Sequence, residues 1–239
     1  MRHRTQGRAP LAVTGGFISI ALALTSPTAA SAQPSDIWAD QFGTEETDHA
    51  NDVAVDSNGY TLIAGVTGGA LSGQASSGHY DAFLQKRDEF GNVLWTRQFG
   101  SGELDNAYAV SVDGFDNILV AGFTNGSLPG QVSSGGADAF VRKYDPAGIE
   151  LWTRQFGTSA ADSAYDVAVD GTGNVVVVGH SWASLPGQQS SGAQDVFVRK
   201  YDPTGSELWT RQFGSSQGDV GYGVAVNGTG DVVVVGHTG

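Results

Sequence analysis

Aspartate side chains recur at fixed positions of this 239-residue chain, and they are the groups best suited to chemistry. One set is Asp48, Asp105, Asp162 and Asp219, which follow one another at intervals of 57 residues. Carboxylate oxygens are preferred ligands of Ca²⁺ in proteins. This set therefore predicts a ring of carboxylates for Ca²⁺ or for a polyhydroxy ligand.

A structural interpretation of the same residues stays open beside the first. Each Asp would accept N–H bonds from the backbone of its own loop and link neighbouring units, with Arg97, Arg154 or Arg211 as candidate partners. Repetition in every unit favours this interpretation, because a binding site usually needs one asymmetric cluster. A second set with the same spacing is open to both interpretations: Asp81, Asp138 and Asp195.

Catalytic motifs are missing from the sequence. The nearest approach to a nucleophile elbow is the stretch 179–183, which lacks the final Gly and a following helix. His180 and His237 stand where other units have Val66 and Phe123, so that position accepts any bulky side chain. The chain has no Cys, which excludes disulfides and thiolate chemistry. The sequence thus predicts a protein that is not an enzyme, with no catalytic residue and no cofactor other than a possible Ca²⁺.

The first 32 residues have the layout of a secretory signal peptide. Arg2, Arg4 and Arg8 form a basic head, residues 11–24 an apolar centre, and residues 30–32 read Ala-Ser-Ala. The alternative is an uncleaved membrane anchor, but the apolar centre is shorter than the roughly 20 residues that span a bilayer. We therefore predict cleavage after Ala32, a secreted or cell-surface location, and no membrane span in the mature chain.

Net charge narrows the range of partners. Beyond residue 32 the chain keeps nine Lys and Arg against 25 Asp and Glu, a formal charge of −16. Such a balance argues against nucleic acid and against anionic membrane surfaces. A protein or carbohydrate ligand remains compatible with it.

One heptapeptide organises the chain. Leu94–Gly100 (LWTRQFG) returns unchanged at Leu151–Gly157 and Leu208–Gly214, and in weaker form at Ile37–Gly43, always 57 residues apart. A fixed period of this length is typical of repeat architectures. It divides a repeat domain over 33–239 into units at about 44–100, 101–157 and 158–214, with a partial unit at 215–239.

The third unit shows the predicted strands most clearly. Strand A is Ala164–Asp170, strand B Asn174–His180, strand C Asp195–Tyr201 and strand D Leu208–Phe213. Gly-rich turns between A and B and between C and D predict antiparallel hairpins. Strand B has four consecutive Val, so both of its faces should be covered. The expected fold is an all-β propeller-type array of four-stranded blades, incomplete at about three and a half blades, with a lone strand at Ile37–Gly43; a parallel β-helix is the rival.

The third unit also resembles a known repeat. The runs Asp162–Asp170, Gly173–Gly179 and Asp195–Asp202 are similar to the bacterial and archaeal β-propeller repeat family called SBBP. The resemblance extends over nearly all of 37–239. It implies an exported or surface-attached protein with several blades, and it transfers no catalytic residue.

The strand order separates two ends of the array. The short A–B and C–D turns would lie at one end, and the longer B–C and D–A loops at the other, which we call the long-loop face and expect to bind any ligand. Acidic residues should line that face: Glu45, Glu46, Asp48, Asp81, Glu103, Asp105, Asp138, Asp162, Asp195 and Asp219. The functional prediction is a non-enzymatic extracellular binding module. Two alternatives are a structural spacer or adhesin segment of a larger protein, and a fragment of a propeller enzyme whose catalytic part is missing.

Overall fold

The computed structural model describes residues 38–239, which form fourteen β-strands. The predicted signal peptide lies outside these residues. The first sheet contains β1 (Asp48–Val55), β2 (Thr61–Thr67), β3 (Asp81–Arg87) and β4 (Val93–Phe99). The second contains β5 (Asp105–Val112), β6 (Ile118–Thr124), β7 (Asp138–Tyr144) and β8 (Glu150–Phe156). The third contains β9 (Asp162–Val169), β10 (Val175–Ser181), β11 (Asp195–Tyr201) and β12 (Glu207–Phe213), and a two-stranded fourth contains β13 (Asp219–Val226) and β14 (Val232–Thr238).

The first three sheets run in the order A, B, C, D and the fourth contains A and B, and within each sheet every strand pairs antiparallel with the next one along the chain. This arrangement confirms the predicted all-β class and the four-stranded blade. The predicted bounds of strand C in the third unit are those of β11, and the other three strands differ by one or two residues. Within the described part of the chain, no helix is long and apolar enough to cross a membrane.

The blades pack face to face through apolar layers, and strand B shows why its sequence has no polar side. Val175–Val178 in β10 are all 0% exposed, because blade two covers one face of the strand and blade four the other. Val232–Val235 in β14 have the same sequence, but Val233 and Val235 are exposed and Val232 and Val234 are only partly buried, since only blade three lies beside them. The hydrophobic side chains are therefore buried between blades, not within them.

The A strands lie innermost, where β1, β5, β9 and β13 contact one another in succession. Each A strand carries a β-bulge at the same repeat position, so one residue has no partner in strand B: Asn51, Tyr108, Tyr165 and Tyr222. A bulge bends its strand and redirects the extra side chain. Four bulges in register therefore direct four side chains toward the centre of the array.

The predicted strand at Ile37–Gly43 is wrong over the residues that the structure describes, because residues 38–43 form no strand. A D strand pairs with the C strand of its own blade, and among residues 38–239 no C strand lies in a sheet with this segment. It still packs against blade one. Phe42 meets Phe83 edge-on at 5.8 Å between ring centroids, and Asp40 forms an ion pair with Arg87.

Candidate functional site

The heptapeptide joins successive blades at the end where the short turns lie. Trp152 Nε1 donates to the backbone oxygen of Pro203 at 3.1 Å, and Arg154 Nε donates to that of Gly205 at 2.7 Å. Both acceptors belong to the C–D turn of the next blade. Trp95 and Arg97 make the same two bonds one blade earlier. The predicted pairing of these Arg side chains with the repeated aspartates is therefore wrong, because each guanidinium bonds backbone carbonyls at the other end of the blade.

The Gln of the heptapeptide fixes the long B–C loop of its own blade. Gln155 Oε1 accepts from Leu128 N at 2.9 Å, and its Nε2 donates to Gly126 O and to an Asp138 oxygen, each at 2.8 Å. Leu128 is 1% exposed and anchors the loop in the apolar layer. Gln98 and Gln212 repeat this arrangement in the other two blades. Three long loops therefore share one rigid frame.

The first set of aspartates lies at the start of the A strands and is buried. Asp105 Oδ2 accepts from Ser101 N at 2.6 Å, and the Ser101 hydroxyl donates to the same carboxylate at 3.1 Å. Asp48, Asp162 and Asp219 accept the corresponding bonds from Thr44, Thr158 and Ser215. These contacts are those expected from the structural interpretation. They do not test Ca²⁺ binding, which stays a prediction.

The second set lies at the start of the C strands and approaches the first set between blades. Asp81 and Asp105 are both 0% exposed, and both direct a carboxylate oxygen at Gly100. Asp138 pairs in this way with Asp162. Burial, with the neighbouring Asp81 charge, raises the pKa of Asp105, and burial with the Asp138 charge raises that of Asp162.

Exposure of acidic side chains on the long-loop face is lower than we predicted. Of the ten acidic residues assigned to it, only Glu45, Glu46 and Glu103 are exposed, while the aspartates of both sets are buried. Between residues 38 and 239, no group of three or more His, Asp or Glu side chains could hold a metal ion. Apart from Asp48, the aspartates of both sets thus lie in buried pairs between blades, and the predicted role of Asp48, Asp105, Asp162 and Asp219 as a ligand ring stays a prediction.

Sequence reasoning missed an aromatic cluster at the centre of the array. The ring centroids of Tyr108 and Tyr165 are 5.2 Å apart, and those of Tyr165 and Tyr222 are 5.6 Å apart. His180 stacks on Tyr165 at 5.5 Å, and burial lowers the pKa of this His to about 4. The 57-residue spacing of the three Tyr could have revealed the cluster. It was hidden because each Tyr occupies a bulge, which a simple alternating strand pattern does not show.

Four-stranded antiparallel blades that pack face to face around their first strands define a β-propeller-type repeat protein. Two segments of the chain, residues 94–129 and 151–186, match the family model SBBP, described as Beta-propeller repeat. Each match begins at the Leu of the heptapeptide, and the predicted resemblance is confirmed.

Curated relatives share part of the sequence. An uncharacterized WD repeat-containing protein of Acanthamoeba polyphaga mimivirus is 26% identical over 80% of this chain and 17% of its own length. The regulatory protein FlaEY of Caulobacter vibrioides is 30% identical over 57% of this chain and 15% of its own length. The alignments thus span about one sixth of these relatives. A solved protein of unknown function from Bacteroides caccae matches 83% of this chain and 57% of its own, with 16% identity and a TM-score of 0.49.

Proposed function

We propose that this protein is a non-enzymatic, exported interaction module whose long-loop face binds a protein or carbohydrate partner. The supporting observation is that identical loop anchors carry non-identical exposed tips. The Gln98, Gln155 and Gln212 bonds hold the three loops in the same conformation. A rigid scaffold with variable loop residues is the usual design of a binding surface.

The variable tips include large apolar side chains. Trp182 begins the third long loop and is 49% exposed, while the equivalent residues in units one and two are Gly68 and Asn125. Val132 in the second loop is 83% exposed. Trp is enriched among the residues that dominate binding energy at protein interfaces. Trp182 is therefore the residue on which we centre the proposed contact.

Position-specific photocrosslinking tests this proposal on the full chain in its producing cells. The photoreactive residue p-benzoylphenylalanine is placed at position 182 on the long-loop face, and at position 90 on the opposite face as a control. Phe90 is 73% exposed, so both probes are accessible. We expect a discrete crosslinked species from position 182 and none from position 90. Equal crosslinking from both faces, or none from either, contradicts the proposal and favours the structural spacer.

Export is tested separately by determining the first residue of the protein in the medium or on the cell surface. Signal cleavage after Ala32 gives a chain that begins at Gln33. An intact N-terminus, or a protein confined to the cytoplasm, contradicts the proposed location without affecting the binding test.

A further inference from the structure

A groove opens between blades two and three at the end where the short turns lie, opposite the long-loop face. It encloses about 430 Å³, a volume within the range of small-ligand pockets of about 300–1,000 Å³. Its lining includes Phe115, Asn117, Lys143, Leu151, Trp152 and Pro203. Phe115 is 78% exposed and Leu151 is 51% exposed, so the mouth of the groove is apolar.

The equivalent repeat position of blade one carries an aromatic ring beside the lysine of that blade. Tyr60 occupies the repeat position of Asn117. Lys86 Nζ lies 5.4 Å from the centroid of the Tyr60 ring, and it forms a 2.8 Å ion pair with Asp56. Between blades two and three the ion pair is conserved, because Lys143 Nζ lies 2.8 Å from an Asp113 carboxylate oxygen. The aromatic ring of Tyr60, however, is replaced by the side-chain amide of Asn117.

Two bridges that cross the first junction are also missing from the second. Lys86 Nζ donates to Pro146 O of blade two at 3.2 Å. The Asp116 carboxylate accepts from Ser57 N at 2.9 Å and from the Ser57 hydroxyl at 2.6 Å. At the next junction, Gly114 and Gly173 stand at the positions of Ser57 and Asp116 and have no side chain to form a bridge. Asp116 is also the one non-glycine residue between 38 and 239 with a positive φ, of 61°.

We propose that the groove binds a tyrosine side chain of a partner polypeptide in the position that Tyr60 occupies one blade earlier. Lys143 supplies a cation beside the ring, as Lys86 does for Tyr60. Phe115 and Leu151 cover the apolar edges of the side chain. An anionic aromatic ligand is disfavoured, because the chain carries a net charge of −13.

NMR of the full chain tests the proposal through two indole N–H signals. Trp152 lines the groove, and Trp95 is its repeat equivalent at the junction of blades one and two. The probes are N-acetyl-tyrosinamide, N-acetyl-alaninamide and p-cresol. We expect N-acetyl-tyrosinamide and p-cresol to shift the Trp152 signal saturably, and N-acetyl-alaninamide to leave it unchanged. Asn117→Tyr should fill the groove and weaken binding at least about tenfold, equivalent to about 1.4 kcal/mol.

Matched variants distinguish a filled groove from a general loss of folded structure. Asn174→Tyr makes the same change one blade further on, and binding at Trp152 should persist. Tyr60→Asn should create a second position and shift the Trp95 signal. Undiminished binding in Asn117→Tyr, or no effect of N-acetyl-tyrosinamide on the parent chain, overturns the proposal. If p-cresol binds and N-acetyl-tyrosinamide does not, the proposal that the partner is a polypeptide is wrong. Trp182→Ala should leave all of these shifts unchanged, so this test is independent of the long-loop proposal.

Discussion

Asp81 and Asp105 belong to different blades, yet their carboxylates face the same hydrogen atom of Gly100. A Cβ atom added to Gly100 would lie 2.4 Å from Asp81 Oδ1 and 2.5 Å from Asp105 Oδ2. Gly157 and Gly214 hold the same relationship in the next two junctions. The last residue of the heptapeptide is therefore glycine because the two carboxylates occupy the space of a side chain.

Gly100→Ala should destabilise the fold. The new methyl group would overlap two buried oxygens, and overpacking of this kind costs about 1–3 kcal/mol. Guanidinium unfolding measures the loss in the free energy of unfolding. Gly102→Ala is the control, because a Cβ at Gly102 meets nothing within 4 Å. Equal midpoints for the two variants would contradict the close approach of the carboxylates.

The buried pairs also predict the pH dependence of stability. Burial raises the pKa of Asp162 in the folded state, so the folded chain holds this proton at pH values where the unfolded chain has lost it. The contribution of Asp162 is therefore fully present below its unfolded pKa and is lost as pH rises through the folded pKa. Asp162→Asn, which mimics the protonated form, should flatten this decline and increase the relative stability at neutral pH.

Urea midpoints measured between pH 4 and pH 8 test this expectation. Asp202→Asn is the control, because hydrogen bonds from Thr204 and the backbone lower the pKa of the exposed Asp202. Its contribution is present above the unfolded pKa and is lost only as pH falls through the lowered value, so its replacement should not change the slope near neutrality. A slope that is unaltered in Asp162→Asn would contradict the shared burial of Asp138 and Asp162.

Calcium should leave the unfolding temperature unchanged. The first set of aspartates already accepts N–H and hydroxyl bonds from its own loops; Asp162, for example, accepts from Thr158 N at 2.6 Å and from the Thr158 hydroxyl at 3.0 Å. A cation that bound only the folded state would raise the midpoint by mass action. Thermal unfolding with millimolar Ca²⁺, and with a chelator as control, decides the question. A clear rise would support the predicted carboxylate ring instead.

The fold was predictable because local sequence and repetition agree. Four consecutive Val in strand B predict two covered faces, and the Gly-rich turns predict hairpins, so the blade follows from one unit. The 57-residue period then places the same blade several times. The bounds of β11 were predicted without error, since Asp195 and the Asp202-Pro203 turn limit it on both sides.

The side-chain network was less predictable, because it depends on contacts between blades. Sequence spacing showed that Asp105 and Asp81 repeat, but not that they meet across Gly100. The sequence pattern of one unit does not single out Tyr60 or Asn117, and their difference becomes visible only when the two junctions are compared. These roles depend on which residues of the neighbouring blade lie opposite, and the sequence of a single unit does not contain that information.

Blades one and two each bury a guanidinium group above a Phe ring, but they supply it from different repeat positions. In blade two, Arg142 lies 4.1 Å above the Phe99 ring and its Nε donates to Thr153 Oγ1 at 2.7 Å. Blade one has Gln85 at that repeat position, and Arg87 supplies the guanidinium from the position of Tyr144, 4.8 Å above the Phe42 ring.

Arg87→Tyr should destabilise the protein by about 1–3 kcal/mol, because it removes a buried charged donor that bonds Gln85 at 2.7 Å. Gln85→Arg alone should also destabilise, since two guanidinium groups would compete for the Phe42 ring in a buried site. The double variant recreates the pattern of blade two, with Arg and Tyr two residues apart. We expect it to recover at least half of the summed losses in a double-mutant cycle from urea unfolding. Additive losses would mean that the two positions act independently, and that the guanidinium is not exchanged between them.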